Sequence, residues 1–99
     1  MGITPEQIIN RLRIELEKYG LNYEDNSDVN IPRKSITRVA KSGTFGLFQD
    51  SEEVARVTSV SEKRLEIMVF DRKERENIDS AAKEISERLE IDYRVLKGY

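Results

Sequence analysis

The chain has 99 residues, with 17 Lys plus Arg against 19 Asp plus Glu, a net charge of −2 and 36% charged residues. Cysteine and histidine are both absent, which excludes disulfides and thiolate metal sites and removes the side chain that most often serves as general base, metal ligand or neutral-pH switch. The near balance of charge argues against a globally basic nucleic-acid binder.

No apolar run approaches the ~20 residues of a membrane span. The start Met1-Gly2-Ile3-Thr4-Pro5 lacks the basic-then-apolar layout of a signal peptide. A soluble, intracellular, cytoplasmic protein with no membrane association is expected, and the length suits one domain over residues 1–99. Abundant Glu, only Gln7 and Gln49 as glutamines, and no cysteine suggest a thermophilic, archaeal source, because desolvating ion pairs costs less at high temperature.

Residues 4–20 carry agreeing start and stop signals for a helix. Thr4 and Gln7 form a capping box, Pro5 occupies the first helical position, Ile3 can staple onto Ile8, and Gly20 supplies a left-handed residue past the end, with Leu21 folding back on Leu16. Ile8, Leu12, Leu16 and Tyr19 form an apolar stripe, opposite Arg11, Arg13, Glu15 and Lys18. Residues 22–30 read as an oxygen-rich loop. Asn26, Asp28 and Asn30 match the first, third and fifth positions of a calcium loop, but Ile31 and Thr37 stand where its glycine and bidentate glutamate belong, so no metal is expected.

Residues 33–46 hold Arg33, Lys34, Arg38 and Lys41 without an acid, followed by Gly43-Thr44-Phe45-Gly46. Cations could neutralise phosphates and Phe45 could stack on a base, which makes Arg33, Lys34, Arg38, Lys41 and Phe45 the candidate nucleic-acid contacts. Strand alternation instead divides these charges between two faces. The Gly-x-x-Gly turn has the form found in KH domains, which set it between helices and around a basic residue, unlike this chain.

Strands are expected near 34–40, 44–49, 53–60 and 64–71, with an acidic turn over 50–53. The last is the organising element: Ile67-Met68-Val69-Phe70 is apolar on both alternating faces and wants cover above and below. The mixed charges of residues 71–76 read as a solvated first turn, with Asp71 as cap and Glu74 as its partner. Ile78, Ala82, Ile85 and Leu89 mark a second amphipathic helix, and 91–96 a last strand.

The expected fold is therefore α+β, a two-layer sandwich of helix, four mainly antiparallel strands, helix and C-terminal strand. The order of helix, antiparallel sheet and helix is loosely similar to that of double-stranded RNA-binding domains, an analogy of element order only. No phosphate loop, dinucleotide fingerprint, nucleophile elbow or metal spacing is present, so no enzyme, catalytic residue or cofactor is expected. Two helices cover one side of a sheet, leaving Ile67, Met68, Val69 and Phe70 as candidate interface residues. The primary reading is a non-catalytic interaction module that forms a homodimer or binds a protein partner through its sheet; the alternative is nucleic-acid binding through residues 33–46.

Overall fold

The computed structural model describes residues 3–26, 33–42 and 48–99. Helix α1 spans Pro5–Glu17 and opens with the expected reciprocal cap: the Gln7 amide donates to Thr4 Oγ1 at 3.3 Å and the Thr4 amide to Gln7 Oε1 at 2.9 Å. Ile8, Leu12 and Leu16 are fully buried. The stripe ends there, because the helix stops at Glu17 and Tyr19 falls in the following turn, 38% exposed. Gly20 adopts φ +72, the left-handed conformation that closes a helix without Cβ strain. Glu15 does not face water as its neighbours suggest. It is buried, with Lys18 Nζ at 2.9 Å and Arg11 Nε at 3.7 Å neutralising it.

Five strands form one sheet in the order β1-β2-β3-β4-β5: β1 Leu21–Asn26, β2 Arg33–Ser42, β3 Phe48–Ser61, β4 Arg64–Val69 and β5 Asp92–Lys97. The first four pair antiparallel and β5 pairs parallel to β4. Residues 21–26 are thus an edge strand where a loop was expected. Leu21 and Tyr23 are buried on one face, while Asn22 and Glu24 point the other way. The calcium-like pattern runs into residues outside those described.

The expected acidic turn at 50–53 is instead part of β3, which pairs with β2 from Ser42↔Phe48 to Ser35↔Arg56. Bulges at Val54 and Thr58 let this long strand keep its apolar side inward. Beyond Leu21↔Arg38 and Ala55↔Val69 neither β1 nor β4 accompanies the pair, so residues 39–42 and 48–51 form a two-stranded extension of the sheet.

After β4 a 3₁₀ turn, Arg72–Glu74, leads into α2, Arg75–Leu89. Asp71 caps that turn, accepting from the Lys73 amide at 2.9 Å, while Glu74 is drawn away to Arg38. Helix α2 ends at Glu90 in the left-handed conformation, φ 54. The helices pack on each other and on one face of the sheet. Ile78, Ala81, Ala82 and Ile85 from α2 meet Leu65, Ile67 and Val69 from β4, all buried to 1% exposure or less. The organising strand lies inside the sheet between β3 and β5, and the architecture is α+β in two layers.

Candidate interaction surface

Period-two alternation on β4 separates the four candidate interface residues into two pairs. Ile67 and Val69 are sealed beneath the helices; Met68 and Phe70 point to the opposite face and are only half-buried. On β5, Leu96 stands in register with Met68. Gly98 then crosses so closely that a Cβ on it would meet Met68 Cγ, Phe70 Cδ1 and the Val69 carbonyl oxygen at 2.9 Å. Its amide donates to that carbonyl at 2.7 Å. Only glycine fits this approach, which sets the boundary of the Met68, Phe70 and Leu96 patch.

Around the patch the open face is charged with both signs. Arg56 lies over the Phe70 ring at 5.4 Å and pairs with Glu53 at 2.8 Å, and the Ser35 hydroxyl also donates to Glu53. Thr58 donates to Glu66 Oε1 at 3.2 Å, Arg64 approaches Glu66 at 3.6 Å, and Arg94 stands in register beside Glu66. The Thr37 hydroxyl is buried on this face with no hydrogen-bond partner among the described residues. No described helix covers this side. The face thus sets apolar side chains beside paired charges of both signs, and among the described residues no group of three or more Asp and Glu is placed to hold a metal ion.

Of the basic segment's cations the structure describes the side chains of Arg38 and Lys34. Arg38 is enclosed by three carboxylates, Glu52 of β3 and Asp71 and Glu74 of the 3₁₀ turn, each at 2.9 Å. Those hydrogen bonds raise its pKa further above the ordinary arginine value, Glu52 contributing most. A guanidinium so held joins β2, β3 and the start of α2, and is not free for phosphate. Lys34 lies on the helix side of the sheet beside Asp25 and Tyr23. Phe45 and the side chains of Arg33 and Lys41 lie outside the described residues.

Sequence reasoning had no signal for the Arg38 partners, which lie 14, 33 and 36 residues away. It also missed the Tyr23 hydroxyl, buried with no hydrogen-bond partner among the described residues. Burial, aided by Asp25 and opposed by Arg13, pushes its pKa up to about 12. Comparison with protein-family models, curated proteins and solved structures finds no match to this chain.

Proposed function

We propose that the protein is a non-catalytic interaction module that self-associates through the open face of its sheet. The observation that carries this reading is the patch of Met68, Phe70 and Leu96, aligned by register on a face without helical cover. A two-fold interface places the same patch on both subunits, so the face must complement itself. Arg56, Arg64 and Arg94 interspersed with Glu53, Glu66 and Asp92 meet that requirement, since each cation can face a carboxylate of the other copy. The charge-dense composition and the carboxylates around Arg38 support a protein from a hot environment.

Sedimentation velocity over about a hundredfold range of concentration tests the reading. The wild type should shift from monomer to dimer, and Met68→Glu should remain monomeric with unchanged circular dichroism. A wild type that stays monomeric throughout overturns it.

A further inference from the structure

The parallel pairing of β4 and β5 creates a second feature, unrelated to the open face. Both strands run the same way, with Val69 opposite Lys97, so the residues that follow β4 and those that end β5 converge at one end of the sheet. There Arg72, Lys73, Arg75, Lys97 and Tyr99, with Glu76 as the one acid, line a concavity of about 600 Å³. That volume lies within the range of small-molecule sites, and the carboxyl end of adjacent parallel strands is where open sheets with crossover helices commonly hold ligands.

Four cationic side chains meet one carboxylate side chain here, a side-chain charge of +3 on a chain of net −2. Elsewhere Arg38, Arg56 and Arg88 each hold carboxylates at 2.6–2.9 Å, while Arg13 lies over the Tyr23 ring instead. In the concavity none of the four cations forms an ion pair with a carboxylate among the described residues, and Lys73 reaches Asp71 only through its charge. Arg75 instead donates to the Tyr99 hydroxyl at 3.2 Å, and Lys97 lies over the Tyr99 ring at 5.2 Å. These contacts hold an aromatic ring, 43% exposed, at the rim among cations outside any ion pair.

The backbone is not the attractive group. The amides of Lys73, Glu74 and Arg75 are already bonded within the turn, to Asp71 and Arg72. The site is therefore built of side chains: guanidinium forks and ammonium groups suited to phosphate oxygens, beside a π face suited to a base.

We propose that this concavity binds the phosphates of a nucleotide, with Arg72, Lys73, Arg75 and Lys97 on the phosphate oxygens and Tyr99 against the base. The nucleotide is either free or at the phosphorylated end of a single strand, since the recognising chemistry is shared.

The test is titration of the full chain with ATP, tripolyphosphate, a 5′-phosphorylated oligothymidylate and a glutamate peptide. With about three phosphate charges engaged, affinity for the oligonucleotide should fall roughly 20-fold between about 50 and about 200 mM salt. Arg72→Gln with Lys73→Gln should weaken ATP at least ~10-fold by losing two charged contacts, and Lys97→Gln should weaken it too. Lys63→Gln with Lys83→Gln, an equal change of net charge on exposed residues elsewhere, should not.

Tyr99→Leu should weaken ATP and leave tripolyphosphate unchanged. Oligonucleotide binding tighter than ATP assigns the site to a strand end, and the reverse assigns it to a free nucleotide. No ATP binding at the lower salt, equal losses in the two double variants, or a glutamate peptide that binds as tightly as ATP overturns the proposal.

Discussion

Ile67 and Met68 are neighbours on one strand with opposite surroundings, and truncating each to alanine reads the two sides of the sheet separately. Ile67 is fully buried on the helix side of the sheet. Losing three carbons there removes about 2.4 kcal/mol of transfer free energy at ~0.8 per methylene, and the residual cavity brings the cost to about 3–4 kcal/mol. For a domain of this size that lowers Tm by roughly 15 °C or more. Met68 loses a similar volume but is half-exposed, so Met68→Ala should cost only about 1 kcal/mol in the dilute monomer.

Concentration then separates stability from association. Wild-type Tm should rise with protein concentration because dimer formation stabilises the folded state, and Ile67→Ala should keep that dependence at a lower Tm. Met68→Ala should lose it. Thermal denaturation at two concentrations is sufficient. Equal losses at the two positions would refute one-sided cover, and a Tm independent of concentration in the wild type would refute the association.

The Asp71 carboxyl is held below the usual carboxylate range, first by the Lys73 amide and then by Arg38. A depressed carboxyl pKa contributes stability that is present above about pH 4 and is lost as pH falls through the lower folded value. Arg38→Gln should therefore raise the Asp71 titration midpoint seen by NMR and destabilise the fold near neutral pH; an unmoved midpoint would sink the assignment. The Tyr23 hydroxyl titrates near 10 when unfolded and at about 12 when folded. The unfolded chain loses that proton first, so stability should decline as pH rises from about 10 to about 12, and Tyr23→Phe should remove that share of the alkaline slope in chemical denaturation. Glu90 sits at φ 54, where a Cβ is strained, so Glu90→Gly should raise stability by about 0.5–1 kcal/mol, read as a higher urea midpoint.

The helices were legible because their signals are local: a cap at Thr4, a left-handed glycine at position 20, and apolar residues three and four apart. So was the interior place of β4, where Ile67 to Phe70 is apolar at every position. Strand β1 escaped notice because only Leu21 and Tyr23 of its inward positions are apolar, while Asp25 and the outward Asn22 and Glu24 make the segment resemble a loop. Residues 50–53 were misread for a related reason: Glu52 and Glu53 look like turn acids until Arg38 and Arg56 are seen beside them.

Sidedness was the harder matter. Alternation shows that Ile67 and Val69 share a face, but only the landing of α1 and α2 decides that this face is sealed and that Met68 and Phe70 are the outward pair. Arg38 shows the same limit for charge, since a cation-rich segment is a binding patch only if the folded chain leaves its cations without carboxylates.

The same alternation makes the two proposed surfaces separable by experiment. Consecutive residues at the end of β5 belong to different surfaces: Leu96 and Gly98 lie with Met68 and Phe70 on the open face, whereas Lys97 and Tyr99 line the concavity with Arg72, Lys73 and Arg75. The surfaces have no side chain in common, so substitutions confined to one should act independently of the other. Met68→Glu should abolish dimer formation while leaving ATP affinity unchanged, and the Arg72→Gln, Lys73→Gln pair should do the reverse. If each variant impaired both activities, the division of the sheet into an open face and a separate carboxyl-end site would be wrong, whichever ligand or partner had been bound.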